Sequence, residues 1–160
     1  MRLAVGSDHA GFVLKQELAE MLRRQDHQIL DVGAHSTEPS DYPDFAEAVG
    51  EAVIEGRAER GLLICGSGVG VSVAANKLPG IRAAICHDTY SAHQGVEHDD
   101  INVLVLGAGI VGSALALELV QAFVAARFSG EERHLRRLAR MKAIEARCQQ
   151  SPAGGRRNLP

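Results

Sequence analysis

Between an apolar run, Leu62–Cys65, and a small-residue stretch, Val71–Ala75, the sequence places Gly66, Gly68 and Gly70 with Ser67 and Val69 between them. Alternating glycines at such a junction let successive backbone N–H groups converge as a nest for an anion, and a following helix adds its positive end. Cys65 stands at the lip of this nest, where a thiol is placed to work as a thiolate. A buried structural cysteine beside a glycine turn has the same sequence, so both readings stand at this point. Asp8 and His9 follow another apolar run, Leu3–Val5, and His98 and Asp99 lie in a polar turn before Val103–Leu106. His–Asp pairs beside strand ends suit acid–base work, although a lone loop histidine is usually solvated surface. Arg133, Arg136, Arg137 and Arg140 line one side of a helical pattern, either as a solvated face or as a grip for an anion.

A second glycine series, Gly107, Gly109 and Gly112 in VLVLGAGIVGSA, has the G-x-G-x-x-G spacing of a dinucleotide-binding turn. Such a site also needs a further strand after the helix, with an acidic residue about 20 positions on for the ribose hydroxyls. The segment ARFSGEERHLRRLARM contains no apolar strand. Gly107 and Gly112 are therefore expected to permit a tight strand-to-helix turn. Gly109 has no role in that reading.

These residues need elements to hold them. Short apolar runs at Leu3–Val5, Ile29–Val32, Leu62–Cys65, Ala83–Cys86 and Val103–Leu106 each precede a helical pattern. The repeats predict an α/β fold: a Rossmann-like three-layer sandwich with a five-stranded parallel sheet and helices on both faces. Ligands in such sheets sit beyond the carboxyl ends of the strands. The strand ends to examine are thus Gly6–His9, Cys65–Gly70, Cys86–Asp88 and Gly107–Gly112. A last helix is expected over roughly Glu131–Arg147, with Leu135, Leu138, Met141 and Ile144 on one side. One domain over residues 1–148 is expected. The tail 149–160 holds Pro, Gly and charge without periodicity and is expected to be disordered.

The 160 residues are 46% hydrophobic and 23% charged, which suits a globular domain. A net charge of −3 and the lack of an aromatic-plus-basic patch argue against a nucleic-acid partner. The apolar runs are too short for a membrane span, and MRLAVGSDHAG has no charged-then-apolar leader, so neither a membrane nor secretion is expected. Cys65, Cys86 and Cys148 are odd in number and widely spaced. They suit neither a disulfide framework nor a zinc site and point to the cytoplasm.

GSDHAGF, DYPDFA, LLICGSGVGVSVAANKLPGIRAA, and YSA followed by EHDDINVLVLG together resemble the ribose-5-phosphate isomerase B family, which also contains galactose-6-phosphate isomerase subunits. The resemblance runs from Met1 to about Arg147. It implies an aldose–ketose isomerase that needs no cofactor or metal and works through a cis-enediolate. It also implies a homodimer, or a tetramer, with sites at the subunit interface. By position, Cys65 resembles the base between C1 and C2. Gly66, Ser67, Gly68, Val69 and Gly70 resemble the cradle for the enediolate oxygens, with Ser67 helping at the hydroxyl. His98 resembles the ring-opening acid, Asp8 its partner and His9 a substrate contact. A sister branch has a glutamate base where this chain has Val71, which leaves the role to Cys65. Arg133 and Arg137 resemble the arginines that grip the phosphate, and forked guanidinium bonds suit that dianion. Two positions depart from the family pattern. Asp99 stands where Asn is usual, and Gly109 stands where a further phosphate-binding arginine is usual. Ribose 5-phosphate is the leading substrate. A tetrose, allose or galactose phosphate, or a catalytically weakened sugar-phosphate-binding relative, are the alternatives.

Overall fold

The computed structural model describes residues 1–150. A strand covered on both faces has no side to give to water, which is why the central strands here read as apolar runs. Along the chain come β1 (Arg2–Ser7), α1 (Phe12–Arg24), β2 (Gln28–Gly33) and α2 (Tyr42–Ile54). They are followed by β3 (Arg60–Cys65), α3 (Val69–Ala75), β4 (Ala83–Ile85) and α4 (Thr89–Asp99). The order ends with β5 (Val103–Gly107), α5 (Ser113–Ala125) and α6 (Glu132–Gln150). The five strands pair in parallel in the order β2-β1-β3-β5-β4. This is the Rossmann-like three-layer α/β architecture that the sequence predicts.

Two apolar layers flank the sheet. On one face Leu14, Leu18 and Leu22 of α1, Val96 of α4, and Leu119 and Phe123 of α5 pack on Leu3, Val5, Leu62, Ile64, Leu104 and Leu106. On the other, Ala46, Val49 and Ala52 of α2 with Val71 and Ala75 of α3 pack on Ala4, Leu63, Cys65, Val103 and Val105. Alternate residues of each strand thus serve opposite layers, as period-two geometry requires. Burying one Leu or Phe side chain contributes about 1.5–3 kcal/mol, so the two layers supply most of what opposes chain entropy.

The chain divides into two compact units, Met1–Phe128 and the stretch from Ser129 onward. In the second, Ser129 Oγ lies 2.6 Å from His134 Nδ1, and Arg133 pairs with Glu131 at 2.8 Å. Arg133 and Arg137 stand one turn apart on α6, both exposed. Leu138 is buried, whereas Leu135, Met141 and Ile144 are exposed. The helix reaches Gln150, two residues into the stretch read as tail. The remaining tail, 151–160, lies outside the described residues.

Candidate active site

From β1 the chain passes first to β2 on one side and then to β3 on the other, so the winding reverses between β1 and β3. A crevice opens at such a reversal, beyond the carboxyl ends of the two strands. Asp8 and Cys65 lie there. Asp8 is buried, and its Oδ1 accepts the Gly11 N–H at 3.0 Å, which fixes the carboxylate above the start of α1. His9 is held by the connection between β2 and α2. Its backbone N–H donates to Ser40 Oγ at 3.1 Å, and the Ser40 N–H donates to Nδ1 at 3.1 Å. Nδ1 also lies 3.3 Å from the Ser40 carbonyl oxygen, so one residue holds this ring nitrogen from two sides.

The Cys65 sulfur accepts the Gly68 N–H at 3.1 Å. That bond exists because Gly68 takes φ +84°, a left-handed turn natural to glycine, and so swings the chain back over the thiol before α3 begins. Ser67 Oγ accepts the Val69 N–H at 3.2 Å, leaving its own proton free to be donated outward. The first-turn amides of α3 have no carbonyl within the helix to serve. Ser67 and Val69 are exposed, and Gly66 and Gly70 are half-buried. The turn is open to solvent, as a binding nest must be.

The turn after β5 is joined to the turn after β3. The Ala108 N–H donates to the Cys65 carbonyl at 2.8 Å, and the Gly109 N–H to the Gly66 carbonyl at 2.9 Å. A Cβ on Gly107 would meet Ser67 backbone atoms at 2.7 Å, so this glycine serves close approach of two turns. Gly112 differs from expectation. Its backbone is extended, with φ −75° and ψ 162°, and open space surrounds its missing Cβ, so the turn does not require glycine there.

The strand-end group Cys86–Asp88 is built differently. Burial pushes the Cys86 thiol up to about 11, and the nearby Asp88 carboxylate adds to the effect. Asp88 accepts from both the Ser91 N–H, at 2.7 Å, and the Ser91 hydroxyl, at 2.8 Å, which holds its carboxyl below the usual range. It is the N-cap of α4.

His98 and Asp99 correct the sequence reading. They are the last residues of α4, not a turn, because Ala92 and Val96, four apart, bury a helical face. The polar residues around them are that helix's outer side. The helix runs back from the end of β4 to the start of β5, so it carries His98 to the amino edge of the sheet. There Arg82 bonds the carbonyl of Asp100 at 2.6 Å and its carboxylate at 2.7 Å. Gln94 Nε2 lies 2.6 Å from His98 Nδ1. Within one chain the structure therefore gathers Asp8, His9, Cys65, Gly66–Gly70 and Gly109 at the carboxyl edge and leaves His98 and Asp99 at the other. Arg133 and Arg137 belong to the second unit.

Two residues at the site went unassigned in the sequence, Ser40 and Tyr42. Ser40 lies in the polar connection after β2, which must start at a carboxyl end, and Tyr42 is the first residue of α2, within the DYPDFA motif. Among the described residues, no group of three His, Cys, Asp or Glu side chains could hold a metal ion. No helix there is long and apolar enough to cross a membrane.

A doubly wound parallel sheet with a thiol, a glycine turn and a carboxylate at its switch point defines an α/β protein with a candidate small-ligand site. More particularly, the chain belongs to the ribose/galactose isomerase family, whose model matches residues 3–141. It is 44% identical over 146 residues to ribose-5-phosphate isomerase B of Escherichia coli, covering 91% of this chain and 97% of that one. It is also 38% identical to the D-erythrulose-4-phosphate isomerase of Pectobacterium atrosepticum, over 81% of this chain and 86% of that one. Among solved structures it resembles ribose-5-phosphate isomerase B of Clostridium thermocellum, with a TM-score of 0.90 and 45% identity, over 92% of this chain and 99% of the other.

Proposed function

We propose that the protein interconverts ribose 5-phosphate and ribulose 5-phosphate with Cys65 as the base. The observation that carries this reading is the Gly68 N–H on Cys65 Sγ at 3.1 Å, at the head of an open glycine turn. His98 gives a proton to the ring oxygen while Asp8 takes the proton of the anomeric hydroxyl, and the sugar opens. Cys65 removes the proton on C2. The electron pair of that C–H bond becomes the C1–C2 double bond, and the carbonyl oxygen gains the negative charge. The Gly66–Gly70 turn, through those of its amides not already given to Cys65 Sγ and Ser67 Oγ, and with the Ser67 hydroxyl, meets that charge, where one preorganised donor is worth about 2.7–4 kcal/mol. The thiol returns its proton to C1 as the C2 hydroxyl loses its own to the oxygen on C1, which leaves the ketose. No cofactor takes part in these steps. Arg133 and Arg137 grip the phosphate, and His9 contacts the sugar.

His98 sits at the opposite edge of the sheet from Cys65, so a homodimer in which each copy completes the other's site fits this mechanism. Val69, Val73, Tyr90 and Ile110 are exposed apolar side chains available for such contact. The widely spaced free cysteines support a cytoplasmic setting. A second reading, isomerisation of a shorter or longer sugar phosphate, is favoured by the Pectobacterium relative and by Asp99 and Gly109.

The test is to assay the purified protein on ribose 5-phosphate, then Cys65→Ser and His98→Asn alone and after subunit exchange. Each variant alone should be nearly dead. In the mixture half the dimers are mixed and each holds one intact site of two, so activity should return to about a quarter of wild type. A mixture that stays dead removes the shared site. A wild-type protein without isomerase activity removes the function.

A further inference from the structure

The connection between β2 and α2 touches the site twice. Ser40 holds the His9 imidazole through its backbone N–H and the His9 amide through its hydroxyl, both at 3.1 Å. Two residues on, Tyr42 opens α2 and lays the tip of its ring on the glycine turn. A Cβ on Gly70 would lie 2.7 Å from the ring Cζ and 3.0 and 3.1 Å from the two Cε atoms. The missing side chain of Gly70 is thus replaced by the Tyr42 phenol. The ring is still 40% exposed, and the turn it covers is open, so one of its sides is accessible to whatever occupies the nest.

We propose that Tyr42 is a specificity-determining residue, whose ring walls the outer side of the nest and limits the length of the sugar chain that fits between the nest and His9. This rests on the isomerase reading given above. An aromatic face suits the C–H side of a sugar, and a rigid ring with only two torsions is a firm stop. A wall of this kind discriminates by about one carbon. Differences of a single methylene in a pocket typically change kcat/KM by about 10- to 200-fold. Ser40 contributes by tying His9 to the same short segment, two residues before the ring.

The experiment compares D-erythrose 4-phosphate, D-ribose 5-phosphate and D-allose 6-phosphate as substrates for the wild type, Tyr42→Ala and Tyr42→Phe. Removing the ring should raise the six-carbon to five-carbon ratio of kcat/KM by about 10-fold or more, largely through KM. Tyr42→Phe, which keeps the wall, should hold that ratio within about twofold. An unchanged ratio in Tyr42→Ala overturns the proposal, because a merely structural role lowers all three substrates together. If the wild type turns over none of the three, the isomerase reading fails and binding decides this one. The chain has two tyrosines and no tryptophan, so its emission comes from Tyr42 and Tyr90. A change on titrating ribose 5-phosphate that is lost in Tyr42→Phe supports the wall; a change that persists, or no change in the wild type, overturns it.

Discussion

Cys65 and Cys86 invite comparison, since each closes an apolar strand run and each is almost wholly buried, at 5% and 4% exposure. Their surroundings differ in what the next three residues do with their amides. After β3, the glycines turn back and the Gly68 N–H points at sulfur. After β4, the chain runs straight on to Asp88, whose carboxylate collects the Ser91 N–H for the helix cap and places a negative charge near the thiol. β3 lies inside the sheet beside the winding reversal, and β4 lies at its edge. Burial alone does not distinguish the two thiols. What separates them is the backbone donor aimed at the Cys65 sulfur, on which its proposed role as base rests.

The sharpest way to break this contrast is to remove each thiol. Cys65→Ser should cost roughly 10³-fold or more in kcat, since a hydroxyl without an activating partner is a far weaker base. Cys86→Ser should stay within about threefold in kcat, because its thiol touches no reacting atom. Steady-state kinetics on ribose 5-phosphate settle both, and similar losses in the two variants would erase the distinction. A middle-sized effect concerns the turn that supports Cys65. Gly109 has no left-handed φ, and a Cβ there would lie 3.2 Å from the Gly66 carbonyl oxygen, a tight but adjustable contact. Gly109→Arg should lower KM for a sugar phosphate with little change in kcat. A charge-assisted bond of about 1.5–3 kcal/mol corresponds to roughly 10- to 150-fold, less if Arg133 and Arg137 already satisfy the phosphate. Titrations with NAD, NADP and FAD should meanwhile show no saturable binding, and tight NAD binding would restore the dinucleotide reading of these glycines.

The smallest effect belongs to Cys86. Its value rises in the fold from an ordinary 9.0 to about 11, so the native state keeps a proton that the unfolded chain releases. That contribution to stability is complete below pH 9.0 and is lost as pH rises towards about 11. Melting curves from pH 8 to 11 should fall more steeply for the wild type than for Cys86→Ala. Parallel curves would show that the thiol does not titrate where its burial places it.

Much of this arrangement was legible in the residues. Apolar runs marked the strands, so even the three-residue, half-buried edge strand β4 could be seen at Ala83–Ile85. The turn after β3 could be seen because Gly66, Gly68 and Gly70 alternate between a strand and a helix. Gly107 was legible only in part. Its neighbour is Ser67, forty residues away in sequence, and nothing local announces that β5 lies against β3. Gly112 shared a spacing with it but not a constraint. α4 was obscured because only two of its residues, Ala92 and Val96, are buried, so His98 looked like part of a polar turn. Ser40 sits in a connection with no periodicity and Tyr42 at the very start of α2, where position relative to the site depends wholly on the fold.

The strand order has a consequence for how a ribosome delivers this molecule. β4 pairs only with β5, and β5 is made later and must slot between β4 and β3. While residues 83–102 emerge, β3 has an open flank and β4 has no partner at all, an interval in which bare strand edges invite pairing with other chains. The amides of Ala108 and Gly109, which brace the Cys65 turn, arrive with that same last strand. Closing the sheet and bracing the turn are therefore a single event, and a nascent chain stopped short of it has the cysteine and the glycines but not the support that holds them in place.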